Sequence, residues 1–148
     1  MTDKKLILWL VDDDEDDRSF FIEGLESLDV NFELREFANG KEPLCFSDAN
    51  SDIIPDIIFL DLNMPVMNGT ECLELIRSHA TLKNVIVAMY STSSSGLDIQ
   101  CCYEKGANLY VIKPNRFQDL KNCMQKILSM NWSDFLCNFQ REHFILKV

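Results

Sequence analysis

FLDLNMPVMNG, residues 59–69, closes an apolar run on a single carboxylate, Asp61, and then breaks into turn residues. The run leading into it, Ile57-Ile58-Phe59-Leu60, has no polar alternation. That suits a strand covered on both faces, as in a parallel sheet, rather than one with a wet face. A strand of this kind offers solvent little except what stands at its tip. Asp61 is therefore informative only if other groups converge on it.

Four more apolar runs punctuate the chain, so that the five fall at Leu6–Val11, 31–37, 56–60, 85–89 and Leu109–Ile112. The second alternates through Phe32 and Leu34 like a half-buried edge strand. Between the runs lie helical spacings. Residues 16–28 carry Phe20, Phe21, Leu25 and Leu28, and a weaker helix is expected over 41–47. Gly69–Ser78 sets Cys72, Leu73 and Ile76 on one face, and 95–105 stops at Gly106. A fifth helix starts near Phe117 and carries Leu120, Met124, Ile127 and Leu128. Strict alternation of this kind predicts an α/β fold, a parallel sheet with helices on both faces. In such sheets the functional crevice lies beyond the carboxyl ends of the strands.

Those ends carry a coherent set of groups. Strand one runs into Asp12-Asp13-Asp14, strand three into Asp61, strand four into Ser91 and Thr92, and strand five into Lys113 before Pro114. Clustered carboxylates repel one another unless a cation is present. An oxygen-lined acidic pocket suits Mg2+, which leaves ligand positions for phosphoryl oxygens. A carboxylate that attacks phosphorus forms an acyl phosphate, and Lys113 with the Ser91 hydroxyl can meet the charge on its oxygens.

Composition sets the outer bounds. The chain has 148 residues, 47% hydrophobic and 26% charged, which suits one compact domain with a short remainder. A formal net charge of -10 argues against a nucleic-acid partner, which needs clustered Lys and Arg. The apolar segment Leu6–Val11 is shorter than a signal core and meets acidic residues, and no stretch reaches the roughly 20 apolar residues of a membrane span. A cytoplasmic protein is expected. The six cysteines have no ligand spacing and read as small hydrophobes, with Cys101-Cys102 the pair most open to exposure.

Together, LVDDDEDDR, FLDLNMPVMNG, YSTSSS and GANLYVIKP resemble the receiver domain of two-component response regulators, in order and in spacing, over about residues 4–130. The resemblance implies a flavodoxin-like, doubly wound five-stranded sheet of order 2-1-3-4-5. It implies that Asp61 is the phosphoacceptor and that Asp12, Asp13, Asp61 and the Asn63 backbone carbonyl hold Mg2+. Ser91 matches the switch hydroxyl, Lys113 the phosphate-pairing lysine and Tyr110 the switch aromatic, and Lys113-Pro114 a bond usually cis. Such a protein accepts and hydrolyses its own phosphoryl group without being a conventional turnover enzyme. Its partner would be a sensor histidine kinase or phosphotransfer protein, and the DDDEDD opening with CYEKGANLYVIKP resembles regulators paired with bacteriophytochrome-type kinases.

Plainer readings compete at several positions. Asp16 and Asp17 suit the positive end of a helix dipole, and Asp14 is as good a helix cap as a metal ligand. Asp12, Asp14, Asp16 and Glu23 have calcium-loop spacing, but Asp17 stands where that loop needs Gly. A one-residue slip would select Thr92 over Ser91, and Ser94 or Ser95 is expected to cap the next helix. Neither His79 nor His143 reads as a phosphoryl donor. The rival function is a small aspartyl-phosphate phosphatase or phosphotransferase with Asp12 as nucleophile. A binding module that works without phosphorylation is the third.

The domain reading is a receiver over residues 1–130 and a C-terminal extension over 131–148 with no output domain. Trp132, Phe135, Leu136 and Phe139 continue the stripe of Ile127 and Leu128, so the last helix is expected to run on into the extension. FILKV would then pair as an extra strand or fold back. The extension serves either as core cover or as a homodimer surface.

Overall fold

The computed structural model describes residues 4–137 and 141–146. Strands and helices alternate as β1 (Leu6–Val11), α1 (Glu15–Glu26), β2 (Phe32–Phe37), α2 (Glu42–Ala49), β3 (Ile57–Leu60), α3 (Gly69–Ser78), β4 (Ile86–Ser91), α4 (Gly96–Glu104), β5 (Leu109–Ile112) and α5 (Phe117–Leu128). The sheet is parallel in the order β2-β1-β3-β4-β5. This is the flavodoxin-like topology expected. β4 runs two residues beyond the apolar stretch, so Ser91 belongs to the strand and is partnered with Ile112.

The unbroken apolar runs have a direct cause. Along the central strands successive side chains enter two separate cores. Trp9, Val11, Ile58, Leu60, Val87 and Met89 face one side. Leu8, Leu10, Ile57, Phe59, Ala88 and Tyr90 face the other. Every residue of β3 is buried, whereas edge strand β2 alternates at its start as a strand with one covered face must.

Helix ends follow local rules. Asn68 and Glu71 form a capping box on α3, and Ser95 rather than Ser94 caps α4. Gly106 sits at φ 96°, with Ala107 N–H on Cys102 O and Gly106 N–H on Tyr103 O, a Schellman stop that requires glycine's freedom. All six cysteines are free thiols. Burial pushes the Cys72, Cys102 and Cys123 thiols up to about 12, and Cys101 is half-buried.

The last helix does not run on. It stops at Leu128, where Ser129 N–H bonds Gln125 O and Ser129 Oγ bonds Lys126 O. A separate helix, α6 (Trp132–Cys137), restarts after Asn131, whose side chain accepts from Asp134 N–H. The apolar spacing persists across the break because Met130, Trp132 and Phe135 still pack on the α5 side of the sheet. Hydrophobic period alone does not report a capped interruption. Leu136 is exposed, and Phe139 lies outside the described residues. After a 3-10 turn (Arg141–His143) the chain folds back beside β5, where Ile145 bridges Tyr110 in parallel. Of the two expectations for FILKV, folding back is the one met over the part described, with a single bridge to β5 rather than a sixth strand.

Candidate functional site

The carboxyl end of the sheet gathers the residues that the strand tips promised. Backbone pairing carries Val11 and Leu60 side by side, so Asp12 and Asp61 leave adjacent central strands together. Carboxylate oxygens of Asp12, Asp13 and Asp61 lie within 4.8 Å of one another. Asp12 is fully buried, Asp61 is 6% exposed and Asp13 faces solvent. The donor set is all oxygen, which fits a hard divalent ion.

Lys113 reaches this cluster from β5. Its Nζ lies 2.8 Å from Asp12 Oδ2, 2.7 Å from Asp17 Oδ2 and 3.7 Å from Asp61 Oδ2. Tyr90 supports it from below, with Nζ 5.5 Å from the ring centroid. Burial opposes the ammonium form, but the bonds to Asp12 and Asp17 outweigh it and raise the Lys113 pKa. Asp12 is held at both oxygens, since Oδ1 also accepts from Asp14 N–H at 2.9 Å.

Asp61 is held differently. Its Oδ1 accepts from Leu62 N–H at 2.9 Å, while Lys113 stands beyond hydrogen-bond reach of Oδ2. Burial pushes its pKa up to about 6; Lys113 lowers it, Asp12 raises it, the Leu62 bond lowers it and Asp13 raises it. The cluster carries more negative charge than its lysine neutralises.

The floor of the site is set by Gly69. A Cβ there would lie 2.2 Å from Asp61 O and 2.7 Å from Leu62 Cα, so only glycine lets α3 start this close to the acceptor strand. The intervening loop contains Val66 at φ 70°, with Met67 N–H on Pro65 O at 2.7 Å. A β-branched residue in that conformation stores strain of order 1–3 kcal/mol. Asn63 is exposed in the same loop.

Ser91 is fully buried, and its Oγ accepts from Ser93 N–H at 3.1 Å. Thr92 points to solvent. Tyr110, also fully buried, donates its hydroxyl to Ser93 O at 2.7 Å. Asp14 caps α1 through Asp16 and Asp17 N–H, which accounts for its side chain without metal. His79 closes α3, with Nε2 2.8 Å from Asp48 Oδ1. Two features departed from expectation. Asp17, read as a dipole residue, joins Lys113 at the site. The Lys113–Pro114 bond is trans; trans is the intrinsically favoured isomer of an X–Pro bond, by about 0.5–1 kcal/mol.

No helix among the described residues is long and apolar enough to cross a membrane. The sequence profile of the response regulator receiver domain matches residues 8–125. Response regulator Rcp1 of Synechocystis is 29% identical over 127 residues, covering 83% of this chain and 86% of its own. Chemotaxis protein CheY1 of Helicobacter pylori (strain 26695) is 29% identical over 124 residues, covering 84% of this chain and 98% of its own. Among solved structures, the Mn(2+)-bound form of Rcp1 matches with a TM-score of 0.75 at 29% identity, covering 86% of this chain and 94% of that one. The phosphorylated cyanobacterial phytochrome response regulator RcpA matches at 0.77 and 30% identity, over 85% and 96%. The bacteriophytochrome response regulator RtBRR matches at 0.72 and 29%, over 87% and 81%.

Proposed function

The chain belongs to the response regulator receiver family of two-component signalling, and on that premise we propose that Asp61 accepts a phosphoryl group from a partner's phosphohistidine. One observation carries the assignment. Of the two buried carboxylates, Asp12 has both oxygens engaged, whereas Asp61 Oδ2 has the lysine 3.7 Å away and remains available to attack. That contrast also disfavours Asp12 as the nucleophile of a phosphatase.

Attack by Asp61 Oδ2 forms the new O–P bond as the N–P bond of the phosphohistidine breaks, leaving the electron pair on the imidazole. The Lys113 ammonium and the Ser91 hydroxyl then offer donors to the phosphoryl oxygens. Asp12 and Asp17 hold Lys113 in place. Asp12, Asp13, Asp61 and the Asn63 carbonyl are the groups that would hold Mg2+, and three clustered carboxylates beside a single lysine fit a divalent cation. When bound, Mg2+ supplies positive charge that offsets carboxylate repulsion. Ser91 fits the switch hydroxyl better than Thr92, because it alone of the pair turns inward.

Phosphorylation biases the loop after β4 between two states, to the extent that it interacts differently with each. The output is a protein contact. The same reading takes residues 1–130 as the receiver and 131–148 as an extension that partly covers its core and offers a homodimer surface. The protein is read as cytoplasmic, its proposed donor is a sensor histidine kinase of the bacteriophytochrome type or a phosphotransfer protein, and nucleic acid is not a proposed partner. Self-hydrolysis of the acyl phosphate resets the protein.

The test is intact mass with peptide mapping after incubation with acetyl phosphate, with and without Mg2+. The expected result is one phosphoryl group that requires Mg2+, maps to Asp61 and is lost in Asp61→Ala. A label on Asp12 would favour the phosphatase reading, and an unlabelled folded protein, with kinase as well as acetyl phosphate, would favour a phosphorylation-independent module.

A further inference from the structure

The edge of the sheet beyond β5 is occupied by the chain's own C-terminal segment, and its backbone hydrogen bonds to the sheet fall on one residue. Tyr110 N–H donates to Phe144 O at 2.8 Å, and Leu146 N–H donates to Tyr110 O at 3.0 Å. Phe144 is 1% exposed. Its ring lies 6.1 Å from the Tyr110 ring and 5.3 Å, edge to face, from Tyr103 on α4. The segment therefore touches Tyr110 through both backbone and ring.

From the other end of the same side chain the contacts run to the candidate site. The Tyr110 hydroxyl holds Ser93 O, Ser93 N–H holds Ser91 Oγ, and Ser93 Oγ donates to Asp98 Oδ2 at 2.6 Å at the start of α4. The loop that presents Ser91 is thus tied to the sheet edge by way of one phenol. Phe144 packs beside the Tyr110 ring, and both side chains are buried.

We propose that Phe144 is a positioning residue: by packing on Tyr110 it preserves the Tyr110–Ser93 bond and the placement of Ser91, so that docking of residues 144–146 and phosphoryl retention on Asp61 favour one another. This rests on the assignment of Asp61 as acceptor. Coupling of this kind is reciprocal. A phosphoryl group that draws on Ser91 strengthens docking of the edge segment, and loss of the segment's ring weakens retention of the phosphoryl group.

The experiment compares full-length wild type with Phe144→Ala, Leu146→Ala, Tyr110→Phe and the Phe144→Ala/Tyr110→Phe double variant. Each is brought to steady state with acetyl phosphate and Mg2+, and the ratio of phosphorylated to free protein is read by intact mass. Leu146→Ala is the control for lost burial at the edge, since Leu146 packs in the other core and its N–H bond survives the change. Phe144→Ala is expected to lower the ratio roughly fivefold, with Tyr110→Phe similar, the double variant no lower and Leu146→Ala, which loosens the segment without touching the Tyr110 ring, lowering it clearly less. Amide exchange on wild type gives a reading independent of any variant. The Leu146 and Tyr110 amides are expected to exchange several-fold more slowly once Asp61 is phosphorylated. Equal losses in Phe144→Ala and Leu146→Ala, multiplying losses in the double variant, or amide exchange indifferent to phosphorylation would each overturn the proposal. Wild type that takes no phosphoryl group would instead remove the Asp61 assignment, and this coupling with it.

Discussion

The two ends of the sheet solve opposite problems. At the carboxyl end, Asp12, Asp17 and Asp61 share one ammonium with Asp13 close by, and burial first of all leaves Asp61 with a pKa of about 6. At the amino end, one half-buried guanidinium meets only neutral acceptors, and each is well placed. Arg77 Nε donates to Gly106 O at 2.8 Å, Nη1 to Lys83 O and Val85 O at 3.1 and 2.7 Å, and Nη2 to Asn108 Oδ1 at 2.8 Å. Asn108 Oδ1 also accepts from Val87 N–H, which ties the entries of β4 and β5 to the end of α3. Burial lowers the Arg77 pKa, yet the geometry satisfies the charge. One end is built to hold the fold, and the other keeps electrostatic demand in reserve for a ligand.

The comparison is tested most severely at the satisfied end. Arg77→Ala removes four hydrogen bonds from a charged donor, one of them to the buried Val85 carbonyl, and is expected to cost roughly 3–5 kcal/mol in urea unfolding, with phosphoryl uptake by the remaining folded protein unchanged. Arg77→Lys should recover little, because a single ammonium cannot span four acceptors on two segments, 83–85 and 106–108. A loss below about 1 kcal/mol would mean that the amino end is not the fold's clasp.

At the demanding end the sign reverses. A carboxyl that ionises near pH 6 in the fold, against 3.8 when unfolded, binds more protons native than unfolded between those values. Stability without divalent metal should therefore fall as pH rises from about 4 through 6, by up to about 3 kcal/mol from this group. Asp61→Asn keeps the acceptor for Leu62 N–H and removes the charge. It is expected to flatten that slope and to be more stable than wild type at pH 8, while Mg2+ stabilises wild type and not the variant. Thermal melts across pH, with and without Mg2+, measure both.

The smallest effects separate two adjacent hydroxyls. Ser91→Ala is expected to reduce phosphoryl retention about tenfold, worth about 1.4 kcal/mol, while Thr92→Ala stays within about 0.5 kcal/mol of wild type. Equal effects would make the inward hydroxyl no more important than the exposed one.

Much of this was legible beforehand. The double-sided strands announced themselves because a parallel sheet erases polar alternation, and strands and core helices were located to within about two residues for that reason. Counting back from Gly106 and Lys113 by the family's spacing selects Ser91 over Thr92, and Ser91 is the buried one of the two. Asp17 was missed since an acidic residue in a first helical turn is already explained by the dipole, and nothing local marks a partner 96 residues away. The break after Leu128 was missed because Ser129 and Asn131 interrupt the backbone without interrupting the apolar stripe.

The sequence by itself determined the alternation of elements, the residue at each strand tip and the chemical kind of the site. These are local properties, written in period, turn residues and charge. Only the tertiary structure decided which oxygens Lys113 holds and which it leaves, because its distance to Asp61 depends on three strands packing side by side. It also decided that the C-terminal segment pairs with β5. An edge strand's partner is chosen by which backbone is left open after the sheet has formed, and that is a property of the folded chain.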